Sequence, residues 1–158
     1  MARRTWYHRM GLQVTRSRPG AWVLRTVFTP LDRGLLRLSR GRLSLAPRLV
    51  PELVLISRGR TSGKLRATPL LYLEDGGSYV VVGSNYGARR HPGWTYNLQA
   101  DPRASITIRG RPADVTARRA TPEEAERYWP RLVEIWPGWR TYRRLTDREF
   151  RMFVLEPA

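Results

Sequence analysis

The sequence predicts a mainly β (α+β) chain: a barrel of short antiparallel strands with helices packed around it. Three observations lead there. From Pro51 onward, short apolar runs follow one another between turn residues. Two of the links between them are tight and glycine-bearing, Glu74-Asp75-Gly76-Gly77 and Arg109-Gly110-Arg111-Pro112. The helical segments interrupt this series without the regular strand–helix alternation that a parallel, doubly wound sheet requires. With 158 residues, the chain has the length of one domain and can bury a real core.

The elements follow in order. Residues 1–20 are basic and aperiodic and end in Arg18-Pro19-Gly20, which predicts a frayed or partner-dependent arm. Two short helical segments come next, divided by Pro30. In the second, Leu31, Leu35 and Leu38 recur at helical spacing opposite Arg33, Arg37 and Arg40, the pattern of a basic amphipathic helix. Such a helix either plugs the barrel or lies on an anionic membrane surface, with Trp22 and Phe28 as anchors. Residues 1–50 thus form a basic arm with amphipathic helices, and residues 51–158 form the barrel.

Within the barrel, Leu53–Ile56, Pro69–Leu73 and Tyr79–Val82 are the first three strands. The Asp-Gly and Gly-Gly steps supply the positive φ values needed by the hairpin between the second and third. Residues 92–100 form a short helix closed by Asp101-Pro102. Ala104–Ile108 alternates at period two, and Ala113–Ala117 runs back along it. Thr121-Pro122-Glu123-Glu124 is a helix start: a capping threonine, a proline suited to the first turn and a glutamate that completes a capping box. That helix ends before Pro137-Gly138, an aromatic segment follows, and Met152–Leu155 is the last strand.

Charge narrows the partners. The formal net charge is +16, and residues 1–66 hold 15 of the 29 cations but only 2 of the 13 acids. A basic patch of this kind attracts phosphates and carboxylates, whether on nucleic acid, lipid or a polyanionic cofactor. Lys64 is the single lysine, an arginine bias that also reflects a GC-rich genome. Cysteine is absent, which excludes a disulfide scaffold, a thiolate metal site and a cysteine nucleophile. His8 and His91 are far apart, so no metal site is expected. No signal-peptide pattern and no apolar stretch of ~20 residues is visible, which predicts a cytoplasmic protein, peripheral at the membrane if the basic helix binds lipid. A nucleic-acid-binding module is compatible with charge and tryptophan content, but no helix-turn-helix, RNP or zinc pattern appears, so no nucleic acid is expected.

The segment richest in chemistry is Arg58-Gly59-Arg60-Thr61-Ser62-Gly63-Lys64-Leu65-Arg66, between the first two strands. Its glycines let backbone approach a ligand, Arg60, Lys64 and Arg66 supply charge, and Thr61 and Ser62 supply hydroxyl donors. It lacks the spacing of a Walker loop. It reads either as an anion cradle or as a solvated basic hairpin. The aromatic segment is the second: Trp136, Trp139 and Tyr142 recur at i, i+3 and i+6, sharing a face if helical. They read either as core or as the wall of a pocket for a flat molecule. His91, before Pro92 at a helix start, reads as a local structural residue or as an acid.

Four segments in register carry a family resemblance. They are Gly59 through Leu70, with the pattern G-R-x-S-G-x-x-R-x-x-P-L; Asp75-Gly76-Gly77 through Ser84; His91-Pro92-Gly93-Trp94-Thr95-Tyr96-Asn97-Leu98 with Asp101-Pro102; and Thr116-Ala117-Arg118 with Tyr128–Val133. Together they resemble the deazaflavin-dependent nitroreductase family over roughly residues 50–157. The resemblance implies a split β-barrel of FMN-binding-like type. It implies an oxidoreductase that uses reduced coenzyme F420, a deazaflavin with a phosphate and an oligoglutamate tail, to pass a hydride to a quinone or nitroaromatic. FMN is the less favoured cofactor, since it has no oligoglutamate for the basic loop; a non-catalytic F420 or flavin carrier is the alternative within the fold.

By the same resemblance, Arg60, Thr61, Ser62, Gly63, Lys64 and Arg66 hold the phosphate and tail. Thr68 and Pro69 line the deazaflavin edge, Ser84 and Asn85 sit near cofactor or acceptor, and Trp94 and Asn97 flank the cofactor. Leu71, Trp136, Trp139 and Tyr142 border the acceptor. Tyr142, Ser84 or a water supplies the proton. Thr61 and Asn85 stand where the family often has lysine, and Leu71 stands where nitroimidazole-reducing members have tyrosine. Monomer and homodimer both remain open.

Overall fold

The structure, a computed structural model, describes residues 50–158. The expectations for the basic arm and the amphipathic helix fall on residues 1–49, outside the described ones. Six strands form a closed, wholly antiparallel barrel: β1 (Glu52–Arg58), β2 (Leu65–Asp75), β3 (Ser78–Gly83), β4 (Arg103–Ile108), β5 (Arg111–Arg119) and β6 (Arg151–Pro157). The order around the wall is β1-β2-β3-β6-β5-β4, and β1 closes on β4. Three helices accompany it: α1 (Gly93–Ala100), α2 (Pro122–Ile135) and α3 (Gly138–Arg144), with a 3-10 turn at Asn85–Gly87. The fold class expected from the sequence is the fold observed.

The strands run longer than their apolar cores. β2 starts at Leu65 because the ladder continues through Ser57 opposite Arg66 and Arg58 opposite Leu65. Backbone pairing thus carries polar loop residues into strand geometry, which hydrophobic patterning does not register. Both tight hairpins have two-residue turns with positive φ: Gly76 and Gly77 at 58° and 87°, Arg109 and Gly110 at 50° and 78°. These are the φ signs of a type I′ turn, whose twist matches that of the flanking strands.

Alternation along the strands sorts the core into two clusters. Leu53, Leu55, Tyr72, Val81, Ile106, Val115, Ala117, Phe153 and Leu155 fill the barrel, with Trp94 and Leu98 of α1 joining them. Leu73, Val80, Val82, Met152 and Val154 face the other way, under Tyr128 and Leu132 of α2 and Trp139 and Tyr142 of α3. α1 therefore belongs to the interior core, while α2 and α3 cover one outer face.

The capping box forms. Thr121 accepts from the Glu124 N–H at 3.2 Å, and the Glu124 carboxylate accepts from the Thr121 N–H at 2.9 Å. Arg118 of β5 grips the same carboxylate with two N–H groups at 2.7 and 2.8 Å and reaches Glu156 of β6 at 2.8 Å. The start of α2 is thereby tied to two strands. Arg118, followed by the Thr121 N–H, lowers the Glu124 carboxyl from 4.5 to about 2. A carboxyl lowered on folding stabilises the fold above its unfolded value and loses that contribution as pH falls through the folded one. We therefore expect urea-unfolding stability to decline between pH 4.5 and about 2, and the decline to flatten in Glu124→Gln. Thr121→Ala should cost about 1 kcal/mol at neutral pH in the same measurement.

Candidate functional site

The β1–β2 connection is wound tightly on itself. The Gly59 N–H donates to the Lys64 carbonyl at 2.8 Å, and the Gly63 N–H donates to the Gly59 carbonyl at 2.7 Å. Arg58 reaches the Gly63 carbonyl at 3.0 Å. Ser62 Oγ accepts from the Lys64 N–H at 3.4 Å and from Arg66 Nη2 at 3.5 Å. Gly59 is required by this closeness: a Cβ there would lie 2.8 Å from Ser62 Oγ and 3.2 Å from the Lys64 carbonyl oxygen.

The loop is docked on α1. Asn97 Oδ1 accepts from the Arg60 N–H at 3.2 Å, while Asn97 Nδ2 donates to Ser57 Oγ of β1 at 3.4 Å. Between loop, strand and helix lies a cavity of about 460 Å³ lined by Gly59, Arg60, Thr61, Ser62, Arg66, Ala67, Thr68, Gly93, Trp94, Tyr96 and Asn97. The volume suits a small-molecule site, for which roughly 300–1,000 Å³ is usual. Neither lining arginine has a carboxylate partner among the described residues, whereas Arg103, Arg118, Arg119, Arg127 and Arg131 do. The lining offers two guanidiniums, three hydroxyls, an amide and two indole or phenol rings. That donor set fits an anionic chain attached to an aromatic head.

The residues singled out in the sequence fall into two groups. Arg60, Thr61, Ser62, Arg66, Thr68, Trp94 and Asn97 line the cavity. Gly63, at φ 65°, and the exposed Lys64 belong to the same loop but not to the lining. Thr68 stands opposite Leu55, on the barrel's inner side; Pro69, one residue on, stands opposite Val54 and takes the other face.

The second group gathers on the outer face. Leu71 and Trp136 pack against the cluster that contains Trp139 and Tyr142, which are 4% and 2% exposed. Trp136 is not on a common helix with the other two: it caps the end of α2, because Pro137 begins a new helix start and breaks the run. Buried Ser84 and half-buried Asn85 lead into the 3-10 turn, where Asn85 and Tyr86 take φ of 46° and 52°. That turn packs on α3: Tyr86 meets Tyr142 edge-on at 5.6 Å, and a Cβ on Gly87 would lie 2.7 Å from the Tyr142 carbonyl oxygen. The Tyr142 hydroxyl is buried without a hydrogen-bond partner among the described residues. Burial pushes its pKa up; the Trp136 indole N–H pulls the other way, too poorly aligned to count as a hydrogen bond.

Two residues escaped the sequence reading. Tyr96 lines the cavity, and helical spacing from Gly93 to Tyr96 and Asn97 would have found it. Arg148 has no sequence signal. Its guanidinium donates to the carbonyls of Ser84 at 2.7 Å, Gly83 at 3.1 Å and Ala88 at 3.1 Å, and meets His91 Nδ1 at 2.9 Å. Burial lowers its pKa, as burial and then Arg148 lower that of His91. His91 thus serves as a neutral acceptor within a structural network, on its Nδ1 side.

Comparison with known proteins places this geometry. Residues 35–157 match the model of the family described as F420H(2)-dependent quinone reductase. Rv3178 of Mycobacterium tuberculosis is 35% identical over 108 residues, 68% of this chain and 91% of that protein. The F420H(2)-dependent quinone reductase Rv1261c of the same organism is 33% identical over 114 residues, 68% of this chain and 76% of its own length. Among solved structures, an F420-H2 dependent reductase, FDR-A, is similar at 36% identity with a TM-score of 0.62, over 67% of this chain and 94% of that one. A second, described as a domain-swapped dimer, is similar at 33% identity with a TM-score of 0.65, over 87% and 99%. The resemblance drawn from the sequence was to reductases named for nitro compounds; the family matched is named for quinones. The chain belongs to the F420H(2)-dependent quinone reductase family, a family of reductases whose hydride donor is reduced coenzyme F420.

Proposed function

We propose that this protein binds coenzyme F420 with the phosphate and oligoglutamate tail along the Arg60–Arg66 loop and passes its hydride to a quinone. The observation that carries the reading is the cavity whose two arginines, Arg60 and Arg66, have no carboxylate partner among the described residues. Uncompensated guanidiniums beside hydroxyl donors and backbone held close by Gly59 make a site for a polyanion. Thr61 in place of the family's frequent lysine leaves the charge to these two arginines.

When bound, the cofactor supplies the hydride. The chain's own work is to hold and orient it: the loop grips the tail, while Thr68, Pro69, Trp94 and Asn97 border the deazaflavin and Ser84 and Asn85 lie toward the acceptor. Reducing a quinone to its hydroquinone takes up that hydride and one proton. Ser84 and Tyr142 are the side-chain candidates for the proton, beside water. The raised pKa of Tyr142 keeps its O–H protonated throughout the physiological range. In this reading Leu71, Trp136, Trp139 and Tyr142 form an aromatic and aliphatic border for a flat acceptor, and Leu71 in place of tyrosine favours an apolar quinone over a nitroaromatic.

The reading extends to where the reaction takes place. The basic amphipathic segment at residues 31–40 would bring a cytoplasmic reductase to an anionic membrane, where lipid-dissolved quinones are met. Homodimer formation is supported by a domain-swapped relative.

Titration with F420, followed by tryptophan quenching, tests the cofactor site. Wild type should bind in the micromolar range or tighter, and Arg60→Ala/Arg66→Ala should weaken binding roughly tenfold or more, because charge-assisted hydrogen bonds to the tail are lost. Salt should weaken the wild type more than the double variant. Absence of binding, with FMN bound instead, would sink the reading; F420 binding without turnover of any quinone would leave a carrier. Gly59→Val should abolish tight F420 binding while the thermal midpoint shifts by only a few degrees, since the strain is confined to the loop.

A further inference from the structure

Tyr96 lines the cofactor cavity but has no part in the reading above. It sits half-buried on α1, one residue before Asn97. The Arg60 guanidinium lies over its ring, 4.5 Å from the centroid. Arg151 of β6 lies over the same ring, also at 4.5 Å. His91 meets the ring edge-on at 6.0 Å and 83°. Arg151 is fixed in turn by Gln99 Oε1 at 2.8 Å and Thr95 Oγ1 at 3.4 Å, both acceptors on α1.

The ring is therefore committed to cations and is not free to stack on a flat cofactor. Arg60, by contrast, is exposed and has no carboxylate partner among the described residues. A guanidinium on a long, rotamer-rich chain needs a second hold if it is to be in place before the anion arrives. Its main chain has one, through the Arg60 N–H on Asn97 Oδ1 at 3.2 Å. Its side chain has the Tyr96 face. Successive residues of one helix thus fix the backbone and the guanidinium of one arginine.

We propose that Tyr96 is a positioning residue for cofactor affinity: its ring presets the Arg60 guanidinium at the cavity for the anionic tail. The proposal rests on the reading of the cavity as the F420 tail site. The ring and not the hydroxyl does this, so phenylalanine should serve and leucine should not. The effect acts through the tail, so it should vanish with a ligand that lacks one.

The experiment uses the full chain, F420, and the corresponding deazaflavin riboside without phosphate or glutamates. Tyr96→Leu should weaken F420 binding roughly three- to tenfold, the scale of an exposed cation–π contact with its lost preorganisation. Tyr96→Phe should stay within about twofold of wild type, since the aromatic face is kept. Riboside affinity and the quinone-reduction rate at saturating F420 should not change in either. In an Arg60→Ala background, Tyr96→Leu should add nothing. Equal weakening of F420 and riboside would overturn the proposal by making Tyr96 a direct wall of the site, and full additivity with Arg60→Ala would overturn it too. If Tyr96→Leu fails to fold, the wild type still decides: ring-current shifts should move the Arg60 side-chain protons upfield in the free protein, and their absence would remove the contact. Failure of wild type to bind F420 would overturn the functional reading itself; F420 binding sensitive to Arg60→Ala but not to Tyr96→Leu would overturn this proposal alone.

Discussion

Closure of the barrel is the constraint on which the rest depends. β1 is paired along its length with β2 on one side and with β4 on the other, so no strand is left as an open edge. Its inward residues, Leu53 and Leu55, are fully enclosed. A strand held this way cannot swing, and the loop that leaves it at Arg58 inherits that rigidity. α1 adds the lid of the arrangement, since Trp94 and Leu98 complete the interior core while Asn97 ties the loop to β1. Precise placement of a binding loop needs this kind of support, because loops alone are mobile.

Charge is distributed to match. On the α2 side, arginines are matched to acids: Arg118 with Glu124 and Glu156, Arg127 and Arg131 with Asp75. These pairs are partly exposed, and their worth lies in joining elements more than in raw stability. Around the cavity the acids are missing, and the cations are held by neutral groups: a serine hydroxyl, a glutamine carbonyl, a tyrosine face. A neutral hold fixes a guanidinium without spending its charge. Arg148 follows the same rule in a structural role, fastening the left-handed turn at Asn85 and Tyr86 through carbonyl oxygens.

The two groups of site residues lie on opposite sides of the β2–β3 wall. Strand alternation sends Thr68 to the inner side and its neighbour Pro69 to the outer. The tail-binding group is thus built from loop and α1, and the acceptor group from α3 and the 3-10 turn. The second group is more tightly packed, with Trp139 and Tyr142 almost wholly enclosed.

The sequence by itself determined the strand series, the tight hairpins, the capping box and the basic glycine loop. Each rests on interactions between near neighbours in the chain: alternation, turn dihedrals, a cap three residues from its partner. It also held the family motifs, which brought cofactor and fold class into view together. What only the tertiary structure decided depends on groups distant in sequence. Arg60 meets Asn97 across 37 positions, and Arg148 meets Ser84 across 64. Trp136 leaves the stripe it seemed to share with Trp139 and Tyr142, because a helix break falls between them. The position of Tyr96 between two arginines from different strands' ends was equally invisible, since cation–π contacts follow from where closure of the barrel brings the side chains and leave no periodic mark on the chain.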